Sequence, residues 1–492
     1  MSLDLLRTMF DAAAAVALAP LVTLTVGVLL LLVAELAPAL SRHRPAILVA
    51  AILGALWCEV LVHANAPGLV LDGTFLADEH TAVWGMIFLS SALVAWAFGQ
   101  RYYRASRTFL GEHDVLLLCT PIGMMLMAGA QDLIVFFVGL ELLSIPLYCL
   151  AAFRRTRNDS VEAGLKYFVL GAFAAATFLY GAGLLYAGTG SISLVELRRI
   201  AAETGIGSPL ALMGAGLVTA SLFFKASVFP FHLWVPDVYQ GSPTPVTALM
   251  ATGTKAAAFA VLLNVAFLLP SSTALVLAAI ALLTMVFGNL GALVQTDLKR
   301  MLAYSSVAHA GTLLLLVAAL VAGPADPGRI APEAFRDEVI GAALFYMAAY
   351  VFTAGGAFGL VSWLEADGER FTRLASLRGL AGRRPGVAAG LALFVLSLGG
   401  LPATGGFLGK YLVFSAVVRA GMVWIAVAGA LLSVVALGYY LRVVVALYME
   451  PEPEGQAPPM TRRLSASLTA GVCAVAVVAL GVLPGLFLDG LL

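Results

Sequence analysis

Apolar runs of about twenty residues recur along nearly the whole chain, separated by short polar connections. At 1.5 Å per residue such a run matches a hydrocarbon core ~30 Å thick, and in lipid only a helix or a closed barrel satisfies its own backbone. The spacing predicts fourteen membrane-spanning helices at about 16–37, 46–64, 81–99, 114–130, 133–153, 163–187, 209–235, 245–269, 273–294, 301–322, 338–364, 386–418, 422–448 and 464–488. The seventh and twelfth are the least regular. Only 11% of the chain is charged, against about 25% in a soluble domain, so the fold class is an all-α polytopic membrane protein. The first apolar run has no basic leader and reads as a retained span.

Loop charge orients the spans. Alternate connections carry Arg42 and Arg44; Arg101, Arg104 and Arg107; Arg154, Arg155 and Arg157; Lys299 and Arg300; Arg370, Arg373, Arg378, Arg383 and Arg384; Arg462 and Arg463. The opposite side holds Arg7, Arg198, Arg199, Arg329, Arg336 and Arg419. The first, more basic side is expected to be cytoplasmic, with both termini outside. The longest polar connections are too short for a soluble domain, and the acidic, proline-rich MEPEPEGQAPP (449–459) links the last span.

Several chemistries have no signature here. Cys58, Cys119, Cys149 and Cys473 are scattered, with no C-x-x-C pair. There is no G-x-G-x-x-G and no P-loop. His43, His63, His80 and His113 lie in loops or at span ends and do not group as metal ligands. No cofactor or metal site is expected, and no basic patch suggests nucleic acid.

Lysine usage is more informative. Five lysines stand against 23 arginines, and Lys166, Lys225, Lys255 and Lys410 lie inside apolar stretches. A cation at the bilayer centre costs at least ~2.5 to 3.5 kcal/mol, so it marks a function by default. Arginine stays charged almost everywhere, whereas a desolvated lysine can release its proton. Glu141 is embedded the same way in LIVFFVGLELLSIPLYCLAAF. It lies ~12 to 20 Å from either end of its span, too far for a glutamate to reach water. Titratable groups strung through a membrane read first as a proton path.

Two spans are broken. SLFFKASVFPFHLWVPD (221–237) contains Pro230, which removes a backbone donor and clashes with the preceding turn. SLGGLPATGGFLGKY (397–411) holds Gly399, Gly400, Pro402, Gly405, Gly406 and Gly409. A lysine flanks each break, Lys225 and Lys410. Matched interruptions in two halves point to inverted repeats around a mid-membrane ion site. The repeats would be spans 4–8 and 9–13, five helices each. The expected divisions are 1–113 for three N-terminal helices, 114–270 and 271–448 for the repeats, and 449–492 for linker and last helix.

Each buried polar residue has a bland reading beside the functional one. Glu141 could be a neutral core carboxyl with Ser144, one turn on, as its local partner. Lys225 could form a structural ion pair with such a carboxylate. Lys255 and Lys410 are too central to snorkel, whereas Lys166 is near its span end and could. Lys299 could anchor a helix end, and His309 could be a satisfied core histidine or a relay. His232 and Asp237 could line an entry route or cap broken backbone. Glu35 and Glu59, in the first two spans, read as structural or interface groups.

At this point five segments resemble a known family: GLELLSIPLYCLAA (139–152), EAGLKYFVLGAF (162–173), FKASVFPFHLWVPDVYQGSPTPVTALMATGTKAAAFAVL (224–262), GNLGALVQTDLKRMLAYSSVAHAG (288–311) and SLGGLPATGGFLGKYLVF (397–414). They resemble the antiporter-like membrane subunits of bacterial NADH:quinone oxidoreductase, respiratory complex I. VPDVYQGSPTPV and Lys410 are similar to the subunit N branch rather than L or M. The resemblance implies fourteen spans, two inverted five-helix bundles and one proton channel. It implies a Glu141–Lys225 pair, Lys255 as the connecting residue and Lys410 as the terminal one. It also implies that NADH, FMN, iron–sulfur clusters and quinone are held by other subunits, that subunit M and the small K- and J-type subunits are partners, and that the chain sits in the bacterial inner membrane. A Mrp-type cation/proton antiporter or membrane-bound hydrogenase subunit is the alternative. A passive scaffold, which gains nothing from buried charge, and a metabolite transporter, which would show a substrate pocket, fit less well.

Overall fold

The computed structural model describes residues 12–106, 111–366, 372–451 and 464–488. Arg7, Arg107, Arg370, Arg462, Arg463 and most of the 449–459 linker lie outside the described residues. The longer helices are α1 Ala12–Leu36, α2 Arg44–Asn65, α3 Glu79–Ala105, α4 Gly111–Gly129, α5 Leu133–Ala151, α6 Asn158–Thr189 and α7 Leu194–Glu203. They continue with α8 Pro209–Ala226, α9 Trp234–Gly241 and α10 Thr244–Asn264. The second half holds α11 Ala274–Leu293, α12 Leu298–Ala322, α13 Pro332–Glu365, α14 Pro385–Gly399, α15 Gly405–Arg419, α16 Val423–Tyr448 and α17 Leu464–Val482.

The protein is an all-α polytopic membrane protein. Eleven of these helices are individually long and apolar enough to cross a bilayer. Helix α4 has 19 residues but opens on Glu112 and Asp114. Helices α14 and α15 have 15 residues each and succeed one another across the break at 400–404. At ~22 Å each, neither half spans a ~30 Å core alone. Two elements were not expected from the sequence: helix α7, in the connection between the sixth and seventh spans, and a short hairpin of β1 Gly68–Val70 and β2 Phe75–Ala77, paired Gly68↔Ala77. Its turn places Leu71, Asp72 and Gly73 at positive φ.

Local signals set the helix starts. Asp132 caps α5, accepting from the Ile134 amide at 2.8 Å. Asp297 caps α12, accepting from the Arg300 amide at 3.0 Å. Asp78 and Thr81 form a capping box on α3. Each satisfies amides that a helix N-terminus otherwise leaves orphaned. Proline opens α8, α13 and α14, where its missing N–H costs nothing.

Burial separates two kinds of helix. The most apolar windows of α10 and α13 are 100% and 94% buried, whereas those of α1, α2 and α16 are only 33% buried. Thus α10 and α13 form the interior and α1, α2 and α16 face outward. Leu29, Leu30 and Trp424 are accordingly exposed side chains of apolar helices. Helices α4 and α5 touch through glycine: a Cβ on Gly123 would stand 2.4 Å from the Leu143 amide nitrogen. Small residues at such crossings let backbones approach where lipid supplies no hydrophobic drive.

Candidate proton path

The seventh-span break lies four residues ahead of its proline. Helix α8 ends at Ala226, Ser227 takes a left-handed φ of 67°, and α9 begins at Trp234. The loosened backbone groups are not abandoned. The Trp234 indole donates to Phe224 O at 3.1 Å, and the Phe229 amide donates to Thr284 Oγ1 at 3.1 Å. This is the irregular backbone that a membrane interior tolerates only when protein or water covers it.

Lys225 sits in the last turn of α8, at the end of the helix dipole that favours a cation. Its ammonium donates to Ser144 Oγ at 2.7 Å and Tyr167 OH at 3.3 Å, and lies 5.3 Å from the Tyr167 ring centroid. Glu141 and Lys225 line one small cavity with Ser144, Tyr148 and Ser221. They do not form the direct ion pair the sequence suggested, and Glu141 Oε1 is buried with no hydrogen-bond partner. Ser144 serves Lys225, not Glu141, and donates in turn to Leu140 O at 2.5 Å. The reason is spacing: positions 141 and 144 share one face of α5, and the hydroxyl lies where the ammonium arrives.

Lys255 follows a π-helical stretch, Met250–Thr254, in the buried α10. Its ammonium donates to Ser306 Oγ at 2.6 Å and to the Ser306 carbonyl, and lies 5.9 Å from the Tyr350 ring centroid. One turn further along α12, His309 Nδ1 meets Tyr346 OH at 2.5 Å and Nε2 meets Tyr440 OH at 3.3 Å. Tyr440 OH also bonds Ser305 Oγ at 2.5 Å. His309 and Lys410 line a common cavity with Asn289, Thr312 and Tyr439. Lys410 donates to Leu398 O at 2.8 Å and Gly399 O at 3.1 Å, the free carbonyls at the end of α14. Both lysines beside the breaks therefore rest at half-helix C-termini.

From Lys255 to Lys410 the structure brings together Ser306, Tyr350, His309, Tyr346 and Tyr440. Among the described residues, no hydrogen bond bridges Lys225 to Lys255. Lys166 lies apart: it is half-exposed and pairs with Glu162 at 2.7 Å and Asp237 at 3.0 Å, while Arg300 holds Asp237 from the other side at 2.7 Å. His232 is buried beside the first break with Phe229 and Phe287, its Nδ1 unpartnered. Lys299 is more than an end anchor. It is buried, donates to Ser242 O at 2.9 Å and faces Glu365 at 3.5 Å. Glu35 pairs with Arg44 near the surface, and Glu59 is buried against Gly85. Reading the sequence missed Glu365, which follows the span end expected at 364, and the tyrosine hydroxyls. Tyrosines within apolar runs, rather than at their ends, were the one signal available. No group of three or more His, Cys, Asp or Glu side chains arranged to hold a metal occurs among the described residues.

Comparison with known proteins matches residues 130–436 to the family NADH:quinone oxidoreductase/Mrp antiporter, TM. NADH-quinone oxidoreductase subunit N of Myxococcus xanthus is 40% identical over 95% of both chains. That of Salinibacter ruber is 41% identical over 91% of this chain and 89% of its own. Among solved structures, a chain of respiratory complex I from Thermus thermophilus aligns at 36% identity with a TM-score of 0.78, covering 96% of this chain and 99% of that one. A chain of the Mrp complex from Dietzia sp. aligns with a TM-score of 0.81 over 98% and 96%, but at 22% identity, which establishes a shared fold alone. On the family match and these identities over most of both chains, the chain belongs to the NADH-quinone oxidoreductase subunit N family of antiporter-type membrane subunits.

Proposed function

We propose that this chain is a proton-translocating membrane subunit of a bacterial NADH:quinone oxidoreductase, moving protons along Glu141, Lys225, Lys255, His309 and Lys410. The observation that carries this reading is three lysines buried in the helix core, each held by hydroxyls or carbonyls. A scaffold would gain nothing from such groups at ~2.5 kcal/mol or more apiece. Lys166, His232, Ser144 and Lys299 are auxiliary groups in this reading. Redox chemistry, with NADH, FMN, iron–sulfur clusters and quinone, belongs to other subunits, and the membrane partners are subunit M and the small K- and J-type subunits. Counting α4, the broken α8–α9 and α14–α15 segments and α17 with the other apolar helices, we read fourteen crossings. The two five-helix units run 114–270 and 271–448, the basic loops face the cytoplasm and both termini face outward across the inner membrane.

The Glu141–Lys225 contact is the switch in this scheme. Two unit charges 4 Å apart interact by about 4 kcal/mol at an effective dielectric of 20. Closing the contact holds the Lys225 proton. Opening it, the arrangement described above with Lys225 turned to Ser144, favours release toward Lys255. Water or a side-chain swing carries the proton between Lys225 and Lys255, and the hydroxyl–imidazole line carries it on to Lys410.

Replacing Lys225 with alanine in membranes of the native host tests the reading. NADH-driven proton uptake is expected to fall about tenfold or more, equivalent to ~1.4 kcal/mol on the limiting step. NADH:ferricyanide reduction, which reports only the peripheral redox reaction, should stay intact. Normal proton uptake in a fully assembled complex would remove Lys225 from the path.

A further inference from the structure

Among the described residues, one buried carboxylate is gathered by side chains from separate elements, and the relay above does not use it. Glu365 ends α13 with its side chain only 5% exposed. Tyr102 of α3 donates to its Oε1 at 3.3 Å, and Thr244, the first residue of α10, donates to its Oε2. Lys299 of α12 faces Oε2 at 3.5 Å, and Arg157 faces Oε1 at 3.9 Å. Arg154 backs the cluster, donating to Tyr102 OH at 3.0 Å. Every neighbour named is a donor or a cation.

Its position is as informative as its partners. Glu365 stands on the side that carries the basic loops. Arg157 is 24% exposed and binds Asp159, so the cluster reaches the surface through it. Inward, two elements lead from Glu365 to Lys255. Thr244 begins the helix that bears Lys255, eleven residues or ~16 Å deeper. Helix α13 itself carries Tyr350, which faces the Lys255 ammonium, ~22 Å deeper. Between these ends, the buried hydroxyls of Ser242, Ser362 and Thr254 have no protein hydrogen-bond partner. Buried polar groups of this kind are ordinarily completed by ordered water. The π-helical turn 250–254 lies immediately before Lys255, and such turns concentrate at functional sites.

We infer that Glu365 is the residue through which protons enter from the basic-loop side to reload Lys255. A proton from water at the Arg157 edge binds the carboxylate and neutralises it, which loosens Lys299 and Arg157. The acid then gives that proton to water among Ser362, Ser242 and Thr254, and the carboxylate reforms between its two cations. One proton enters and one leaves. The inference rests on the lysine relay proposed above.

The test is Glu365→Gln in the intact complex in native membranes, alongside Glu365→Asp and Tyr102→Phe. Glutamine keeps the size and a hydrogen-bonding oxygen but cannot carry a proton. NADH-driven proton uptake is expected to fall about 100-fold, the low end of what a positioned proton-transfer group contributes. Ferricyanide reduction should be unchanged, and added formate, a small diffusible acid, should restore at least half of the lost NADH:quinone turnover. Asp should retain most of the rate, and Tyr102→Phe, which removes the bonds to the carboxylate and to Arg154 but no proton carrier, should be mild. Uptake within twofold of the unmodified complex would overturn the inference. So would a loss that formate leaves untouched and that Tyr102→Phe reproduces, since that pattern marks a purely structural hub. If Lys225→Ala pumps normally, the relay reading itself fails; if it does not and Glu365→Gln does, only the entry assignment fails.

Discussion

Replacing Lys255 with methionine should reduce NADH-driven proton uptake about 100-fold, the effect of deleting a positioned proton carrier with no parallel route. Lys255 is a buried cation between the two broken segments, on a helix whose apolar window is wholly buried. Methionine preserves the unbranched stem and much of its volume, so packing around Ala256, Phe259 and Tyr350 should survive. What disappears is the ammonium and its bonds to Ser306. One carbonyl and one hydroxyl of α12 then lose a partner, at a cost of roughly 1–3 kcal/mol per unsatisfied group. That is affordable in a large core, so the complex should assemble and reduce ferricyanide normally. The assay is initial proton uptake by sealed membrane vesicles, normalised to ferricyanide activity. Uptake within twofold of the unmodified membranes would exclude Lys255 as the connection between the halves.

Gly406→Ala should act on assembly rather than on chemistry. Helix α15 begins at Gly405, and an added Cβ on Gly406 would stand 2.0 Å from the Ser397 carbonyl oxygen and 2.8 Å from its carbon. These are backbone atoms of α14, so no rotamer change relieves the overlap. The two halves of the broken span must part. Overpacking of this kind costs typically 1–3 kcal/mol, and here about 3 kcal/mol is expected because the obstacle is main chain. Separation would also displace Lys410 from the Leu398 and Gly399 carbonyls. Heat-induced loss of the subunit from the solubilised complex should begin at a clearly lower temperature than in Gly386→Ala, whose added Cβ meets nothing within 4 Å. Equal midpoints for the two variants would show that α14 and α15 do not depend on this contact.

The sequence alone determined the membrane class, most of the apolar helices, both breaks and three of the buried lysines, Lys225, Lys255 and Lys410. Each of these follows from one-dimensional physics. A bilayer demands a fixed run of apolar residues, proline and clustered glycine interrupt a helix wherever they occur, and a charge inside such a run is costly in any packing. Which groups touch was a different matter. Ser144 rather than Glu141 receives Lys225, because two positions on one helix face compete for a side chain arriving from another helix. Ser306 receives Lys255, and two tyrosines from α13 and α16 close on His309, contacts between residues 37 to 131 positions apart. Lys166 looked like its buried counterparts in sequence, but α9 presents Asp237 at its span end and draws it into a half-exposed ion network. Glu365 falls one residue beyond the span expected at 338–364, and only the convergence of α3, α10, α12 and the Arg154–Arg157 connection buries it. Composition decides whether a charge lies in the membrane, because lipid acts on each segment separately. Tertiary packing decides its partners, because hydrogen bonds and ion pairs act over a few ångströms between segments far apart in the chain.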